Sequence, residues 1–370
     1  MPAATFTAAL TRRRVVRIAA AAAGVPLVIA AVRAAAPAGR LFRWQGEVLG
    51  AWSELALWHT DAAVAQRAIV RVRGEIARYE RIFSLYRPDS EISRLNAAGA
   101  LARPSPELLG LIDASRRFSV LSGGAFDISV QPLWRLYEAH FWSHSDIQSD
   151  VAARAGEVAR ARVDFRSIDA GHAGIAFAKA GMGITLNSLA QGFVTDAAAD
   201  LLRNEGFDSA VVDLGEFRTL GRRPDGHPWR IGIRSGLGAG GLGDNGGAGG
   251  GQIAAVKIAA AEGGEPQTGD RRTVELEDGA LAVSGGYGTP FEPTGRFHHI
   301  FDPHTGASAN GLVDVAVTAP TAVTANGLST AICVAGEARA AALLAAFAGT
   351  RATVTRPDGT VATIAAAAIA

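Results

Sequence analysis

The segment FHHIFDPHTG, residues 297–306, places two adjacent histidines, an Asp-Pro pair and a Thr-Gly pair between two apolar runs. Ile300 and Phe301 are typical of the end of a strand, and the residues from Asp302 to Gly306 are typical of the turn that follows one. Such a turn can present oxygen atoms and an imidazole ring to a ligand. Taken alone, the segment does not predict a binding site, because Asp-Pro turns are common and a single histidine is more often structural.

Three other segments share this character, because each is short, rich in Gly, Ser, Thr and Asn, and placed at a join between apolar elements. They are GGAFDISVQPLW (residues 123–134), TLNSLAQGFVTD (185–196) and TANGLSTA (324–331). A fifth segment, FSLYRPDSEISRLN (83–96), precedes them in the chain. Together these separated polar turns predict one composite site.

In this order, the five segments resemble the ApbE family of FAD:protein FMN transferases, and the resemblance runs from about Gly46 to the C-terminus. It implies an α+β fold related to the T-fold, with mixed sheets and packed helices in a single compact unit of two lobes. It also implies a reaction. The FMN moiety of FAD is transferred to a Ser or Thr hydroxyl of another protein through a phosphoester bond, AMP is released, and Mg²⁺ is required.

Taken residue by residue, the resemblance also implies the positions of the site. Those expected to contact FAD are Leu49, Tyr86, Ala125, Phe126, Asp127, Thr185, Gln191, His299, Ile300 and Asp302. Those expected to hold the metal are Ser188, Asn326 and Thr330. These three residues and His299 are the expected catalytic group. Leu49 and Tyr86 fall where the family contacts the flavin, and residues 125–127 fall where it wraps the adenosine side.

The spacing of Asn326 and Thr330 agrees with a metal site. The two residues are four apart, which places them on one face of a helix start, and both carry the side-chain oxygen that a hard cation requires. A helix cap with a surface hydroxyl is the alternative interpretation of the same pair. The other segments favour the metal site.

The sequence departs from the usual family pattern at three of these positions. Thr185 and Asn326 stand where most relatives have Asp, and Gln191 replaces a common Lys. Because Mg²⁺ sites usually include one or two carboxylates, we expect weak Mg²⁺ binding in the absence of FAD and a metal that arrives with it. A carboxylate such as Asp213 or Glu216 in VVDLGEFR could compensate, but the sequence does not place either one.

The N-terminus predicts export. Arg12, Arg13 and Arg14 precede an apolar run over residues 18–31, which Pro26 interrupts and which is short for a membrane span of roughly 20 residues. The pattern is that of a twin-arginine signal over residues 1–38, with cleavage after Ala38 and a periplasmic product. If the signal stays uncleaved, the protein is tethered to the membrane instead.

Composition excludes several classes of protein. With 48 % hydrophobic and 19 % charged residues the chain is globular, and 36 basic against 35 acidic residues leave a net charge of +1. Without a basic run outside the N-terminus, nucleic acid is not an expected partner. Cys333 is the only cysteine, so an internal disulfide is excluded, and its apolar surroundings predict a buried side chain.

Periodicity predicts mixed helices and strands in a domain over residues 43–370. We expect a strand at 47–57, helices at 64–79, from 106, at 196–205, 322–335 and 338–347, a strand at 209–214, and a terminal hairpin turning at 357–359. Residues 143–161 are expected to form a peripheral insertion. The Gly-rich stretch 236–251 is expected to be a disordered surface loop, because it has little apolar surface to bury.

Two questions of function stay open at the level of sequence. The acceptor implied by the resemblance is an exported flavoprotein of a respiratory complex, and the variant motifs look like the branch associated with nitrous oxide reductase maturation. The alternative is a non-catalytic FAD-binding carrier or assembly factor, and a third possibility is a flavoprotein that carries electrons itself. A transition-metal site at His298, His299 and His304 is disfavoured, because neighbouring residues of a strand point to opposite faces.

Overall fold

An antiparallel sheet forms the centre of the computed structural model, which describes residues 39–143, 153–234 and 271–366. The predicted signal over residues 1–38 and the Gly-rich stretch 236–251 lie outside the described residues, so both stay predictions. Described residues from Leu41 onward belong to one compact unit, as expected. In this part of the chain, no helix is both long and apolar enough to cross a bilayer.

The central sheet has eight strands, and its recorded strand pairs are antiparallel. In sheet order they are β1 (Arg40–Val48), β2 (Ala51–His59), β6 (Ala210–Asp213), β7 (Phe217–Leu220), β10 (Ala280–Gly285), β11 (Asp314–Ala319), β12 (Arg351–Thr355) and β13 (Val361–Ala365). The smaller sheets contain β3 (Ala100–Ala102), β5 (Gly174–Phe177) and β4 (Ile168–Gly171), and β8 (Trp229–Arg234) with β9 (Arg271–Leu276). This architecture confirms the α+β class.

Helices pack on the sheets and on one another. They are α1 (Ala62–Phe83), α2 (Glu91–Ala98), α3 (Pro106–Leu121), α4 (Gln131–Ser143), α5 (Ala153–Arg160), α6 (Asn187–Asn204), α7 (Ala322–Ala335) and α8 (Glu337–Ala345). The predicted start of α3 is confirmed, because the Ser105 side chain accepts a hydrogen bond from the Leu108 N–H and Pro106 opens the first turn. The predicted apolar face of α1 is also confirmed, with Val72 and Ile76 buried.

Helices α6 and α7 are locked together at the place where the predicted metal ligands meet. The Asp196 carboxylate of α6 accepts the backbone N–H groups of Ala322 (2.8 Å) and Val323 (3.0 Å), which caps the start of α7. A Cβ on Gly192 would lie 2.6 Å from the Ala322 carbonyl oxygen. This contact requires glycine at position 192, and it sets α7 against α6.

The expected single strand over residues 47–57 is wrong. The chain turns at Leu49 and Gly50, whose φ angles are +50° and +82°, and forms the hairpin of β1 and β2. A Cβ on Gly50 would lie 2.8 Å from the Tyr86 ring, so glycine is needed both for the turn and for this approach. The sequence did not predict this turn, because apolar residues on both sides of it are typical of one continuous strand.

Three other element boundaries differ from the prediction. Helix α6 begins at Asn187, nine residues before the predicted start, because the polar segment 185–196 is itself mostly helical. Phe301 forms only an isolated bridge to Ser308 and does not end a strand. The expected peripheral insertion contains helix α5. The terminal hairpin, α7 and α8 are confirmed. The predicted end of α6 near residue 205 is also confirmed, and Gly206, with φ +88°, follows it.

Candidate active site

A cleft of about 540 Å³ lies beside α6 and α7 and receives residues from every one of the five polar segments. Its volume falls in the range of sites that bind small molecules or cofactors. Twelve of the thirteen predicted site residues line it. They are Leu49, Tyr86, Ala125, Phe126, Asp127, Thr185, Ser188, Gln191, His299, Ile300, Asn326 and Thr330. The predicted convergence of these segments is therefore observed, while the role of each residue stays a prediction.

Asp302 is the predicted residue that the structure does not bring to the cleft wall. Its carboxylate accepts hydrogen bonds from the His304 N–H (2.9 Å) and the Thr305 hydroxyl (3.0 Å). Both carboxylate oxygens therefore hold the turn that follows His299. The Asp-Pro-His-Thr sequence is typical of such a side-chain-stabilised turn. The hydrogen bonds within the turn therefore explain why Asp302 does not line the cleft.

His299 is a neutral imidazole in the cleft. Its Nδ1 lies 3.3 Å from the Thr289 carbonyl oxygen, which can only accept, so Nδ1 carries the proton and Nε2 is left as an acceptor. Burial lowers its pKa to about 4, with a smaller contribution from neighbouring His298. The Trp134 ring stands edge-on to it, with centroids 6.0 Å apart.

His298 belongs to a different network. Its Nε2 lies 3.1 Å from the Asn310 side-chain oxygen, and its Nδ1 accepts the Ile300 N–H at 3.2 Å. Both ring nitrogens are thus used inside the fold. Over the described ranges, no group of three or more His, Cys, Asp or Glu side chains is placed to hold a metal ion.

Hydroxyl and amide groups form one corner of the cleft. The Ser284 Oγ at the end of β10 lies 3.2 Å from the Thr330 Oγ1 and 2.8 Å from the Ser329 Oγ on α7. Asn326, one turn earlier on α7, is 3 % exposed, and its amide nitrogen has no hydrogen-bond partner among the described residues. Ser188 and Gln191 reach the same cleft from α6. These side chains offer oxygen donors of the kind that hard cations and phosphate groups need.

Asp127 lines the cleft and caps the short turn that follows it, over residues 128–130. One carboxylate oxygen accepts the Ser129 N–H (2.7 Å) and hydroxyl (2.6 Å), and the other accepts the Phe165 N–H (3.0 Å). Burial raises the pKa of this carboxyl, and the hydrogen bonds from Ser129 and Phe165 oppose the shift. The side chain joins the segment 123–134 to the start of the small sheet, and it fixes the backbone of Ala125 and Phe126 along the cleft.

An aromatic wall, defined here as Tyr86, Trp134, Phe141 and Phe291, lines the cleft as well. Trp134 and Phe291 meet edge to face at 5.3 Å, and Phe141 stacks on Phe291 at 6.3 Å. Such a wall fits a planar heteroaromatic ring. Sequence reasoning missed Trp134, Phe141 and Phe291. The local signal for Trp134 and Phe141 was the aromatic content of α4, which is equally typical of a packed core helix, and Phe291 lies outside that helix.

Glu216 is a further cleft residue, and the sequence named it only as one of two carboxylates that could compensate for Asn326. It is 5 % exposed and lines the cleft, whereas Asp213 does not line it. Burial raises the pKa of Glu216 well above its ordinary value, the Asp213 charge raises it further, and a backbone hydrogen bond from Val283 opposes the shift. Its position in the turn between β6 and β7 carried no signal in the sequence that separated it from Asp213.

Asp213 makes stability depend on pH. Burial raises its pKa to about 8 from an ordinary value of 3.8, so the folded protein keeps a proton that the unfolded chain releases between these values. We therefore expect the free energy of unfolding to fall as the pH rises from about 4 to about 8. Urea unfolding at about pH 5, 7 and 9, with chelator present, measures this dependence. Asp213→Asn should show a smaller loss, and equal losses in the two proteins would contradict the prediction.

Comparisons with known proteins place this arrangement in a family. The family model described as "ApbE family" matches residues 50–354. The chain is 30 % identical over 319 residues to the FAD:protein FMN transferase of Treponema pallidum (strain Nichols), covering 80 % of this chain and 79 % of the relative. It is 28 % identical over 292 residues to the FAD:protein FMN transferase of Vibrio cholerae, covering 76 % and 77 % of the two chains.

Solved structures show the same fold. The flavin transferase ApbE from Vibrio cholerae aligns with a TM-score of 0.68 at 22 % identity, over 89 % of this chain and 98 % of its own. The apo flavinyl transferase ApbE of Pseudomonas stutzeri aligns with a TM-score of 0.69 at 24 % identity, over 88 % and 95 %. The family match covers most of the chain, and the relatives match over most of their length. The chain is therefore a member of the ApbE family.

Proposed function

We propose that this protein transfers the FMN half of FAD to a Ser or Thr hydroxyl of another protein and releases AMP. The supporting observation is one cleft that combines an aromatic wall, a corner of hydroxyl and amide groups, and a neutral histidine. The wall suits the flavin or adenine ring, and the polar corner suits the diphosphate. Both relatives described above are FAD:protein FMN transferases.

The reaction needs a proton acceptor but no nucleophile from this chain. The acceptor hydroxyl oxygen forms a bond to the phosphorus of the FMN half, and the bond from that phosphorus to the bridging oxygen breaks. AMP leaves with that electron pair. The hydroxyl proton goes to Nε2 of His299, which is free to accept because Nδ1 holds its proton against the Thr289 carbonyl. Positioning the two reactants in the cleft provides much of the remaining acceleration.

The side chains of the polar corner fit a Mg²⁺ ion. Hydroxyl and amide oxygens are hard donors that suit a cation, and the unpartnered Asn326 amide N–H₂ group is a hydrogen-bond donor that suits a phosphate oxygen beside it. Ser188, Asn326 and Thr330 are the proposed residues to hold it. When bound, Mg²⁺ neutralises charge on the attacked phosphate and on the leaving phosphate.

Asn326→Asp should tighten Mg²⁺ binding by on the order of tenfold, because it adds a carboxylate to a site that has few. Calorimetric titration of Mg²⁺ with and without FAD measures the effect. Asn204→Asp adds the same charge on the exposed end of α6 and serves as the control. Unchanged affinity in Asn326→Asp would place the metal elsewhere. Wild-type protein that binds Mg²⁺ tightly without FAD would refute the expectation of a metal that arrives with its substrate.

One experiment tests the proposed reaction. The protein is incubated with FAD, Mg²⁺ and a candidate acceptor domain, and acid-stable flavin fluorescence on the acceptor is measured together with AMP. An acceptor whose Ser or Thr is replaced by Ala is the control. Transfer to the unmodified acceptor with an equal amount of AMP supports the proposal. Stoichiometric FAD binding without either product would favour a carrier or assembly factor, and reversible flavin reduction would favour electron transfer.

We also propose that the protein acts in the periplasm on an exported redox protein of a respiratory complex. The support is the arginine-rich start of the chain, which predicts export by the twin-arginine route. N-terminal sequencing of the exported form tests it. A product that begins after Ala38 supports a free periplasmic enzyme, and an intact N-terminus would indicate a membrane tether.

A further inference from the structure

The turn between β6 and β7 fixes the backbone of Glu216 at the cleft. The Glu216 carbonyl oxygen accepts the Leu214 N–H (3.2 Å) and the Thr195 hydroxyl (3.3 Å) of α6. Gly215 has φ +101°, and a Cβ there would lie 2.7 Å from the Gln191 side chain. The turn is thus pressed against α6, and Glu216 lines the cleft within this constraint.

The Glu216 carboxyl is buried without a cationic partner. It is 5 % exposed, and no Lys or Arg among the described residues forms an ion pair with it. The charged group that acts on it is another carboxyl, that of Asp213. A buried carboxylate in such surroundings destabilises the fold unless a cation compensates its charge. A carboxyl group at this position beside a ligand cleft therefore indicates that a bound cation provides the positive charge.

Glu216 contacts α6, which carries Ser188, and β10, which packs on the helix that carries Asn326 and Thr330. Val283 provides a backbone hydrogen bond to the Glu216 carboxyl, and the next residue, Ser284, is within 3.2 Å of the Thr330 hydroxyl. Asn326 is only 3 % exposed, and its amide nitrogen has no hydrogen-bond partner among the described residues of this cleft. Two independent features of this corner, an unpaired carboxyl and an unsatisfied amide, therefore call for a ligand.

We propose that Glu216 provides the carboxylate ligand of the divalent cation, in the role that Asn326 leaves unfilled. This assignment rests on the proposed function for the presence of a cation at the diphosphate. The carboxylate comes from the start of β7 in this chain, and α7 contributes only neutral oxygens. The cation therefore joins the sheet to α7, and its binding does not depend on an acidic residue in the helix.

Mn²⁺ titration followed by electron paramagnetic resonance tests this assignment directly, because free and bound Mn²⁺ give different signals. The full-length protein is titrated with and without FAD, and with no acceptor present. Glu216→Gln keeps the size of the side chain and should weaken Mn²⁺ binding by about tenfold or more. Circular dichroism and the unfolding midpoint establish that the variant is folded. Asp213→Asn removes the neighbouring carboxyl, which does not line the cleft and whose charge opposes ionisation of Glu216, so this variant should not weaken Mn²⁺ binding.

A double variant makes the test independent of local stability. Glu216→Gln combined with Asn326→Asp moves the carboxylate from the sheet to the helix, and it should recover most of the Mn²⁺ affinity lost in Glu216→Gln. Equal Mn²⁺ affinity in wild type and Glu216→Gln, or no Mn²⁺ binding by wild type in either state, would overturn the assignment. So would a loss of metal-free FAD affinity with unchanged Mn²⁺ affinity, since that result makes Glu216 a direct contact to FAD.

The result of the Mn²⁺ titration can be separated from the result of the FMN-transfer assay. Metal titration uses neither acceptor nor product, so a protein that fails to transfer FMN still reports whether Glu216 binds the cation. Conversely, FMN transfer by the wild-type protein together with equal Mn²⁺ affinity in wild type and Glu216→Gln would support the proposed function and contradict only this inference.

Discussion

His299→Ala is expected to slow FMN transfer by about 10²–10⁴-fold, because it removes the group that accepts the hydroxyl proton. FAD affinity should change much less, since the aromatic wall and the polar corner remain. The rate is measured as acid-stable flavin fluorescence on the acceptor over time, with FAD affinity measured separately by titration. A loss of rate together with retained FAD binding separates a chemical role from a binding role.

The control for this variant is His304→Ala. His304 lies in the same segment but is exposed, and its side chain is not part of the cleft wall. Its replacement should leave the transfer rate near that of wild type. A His299→Ala protein that transfers FMN at the wild-type rate would show that the hydroxyl proton goes to another group.

The pH dependence of the rate gives a second check on His299. Because its pKa is lowered to about 4, the ring is already neutral between pH 6 and 8. We therefore expect kcat/KM to be free of a histidine titration in that range and to fall only as the pH approaches about 4. A clear loss of activity centred near about pH 6.5 would indicate an exposed histidine as the base.

Gly192→Ala is expected to destabilise the protein by about 1–3 kcal/mol, because the added Cβ overpacks the contact between α6 and α7. The nearest atoms are backbone atoms of Ala322 and Val323, at 2.6 to 2.8 Å, so the helices must move apart. That movement separates Ser188 and Gln191 from Asn326 and Thr330. Weaker FAD binding should therefore accompany the lower unfolding free energy.

Urea unfolding and FAD titration measure the two effects of Gly192→Ala. Gly110→Ala is the matched control, because Gly110 is exposed in the middle of helix α3 and a Cβ there meets nothing within 4 Å. This substitution should stabilise the protein by up to about 1 kcal/mol, since alanine favours a helix over glycine. Similar effects at both positions would show that the contact between α6 and α7 is not tight.

Local signals predicted much of the fold. The Ser105-Pro106 start of α3, the terminal hairpin and the paired helices α7 and α8 depend on caps, turn residues and apolar period, and these act within a few residues. Turns inside apolar runs were missed. The chain reverses at Leu49 and Gly50, where the left-handed backbone is stabilised by packing against residues far along the sequence.

The candidate site was predicted well where the polar segments carry the family pattern, and twelve of thirteen named residues meet in one cleft. Asp302 was the exception, because its carboxylate is used by its own turn. Residue types and their order along the chain thus predicted the α+β class, the family and twelve residues of the cleft wall. The turn residues determine local backbone conformation, and the spacing of the side-chain oxygens indicates which of them can face one ligand.

Tertiary structure decided which charges and rings complete the cleft. Asp213 and Glu216 are three residues apart and equally acidic in sequence, yet only Glu216 lines the cleft, since the turn at Gly215 directs it there. Trp134 and Phe291 meet across a long stretch of chain, and no local pattern links them. Glu216 is placed by the packing of its turn on α6, and the ring pair is placed by the packing of α4 against the segment that contains Phe291. Such contacts join residues distant in sequence, so their outcome appears only when the whole chain is folded.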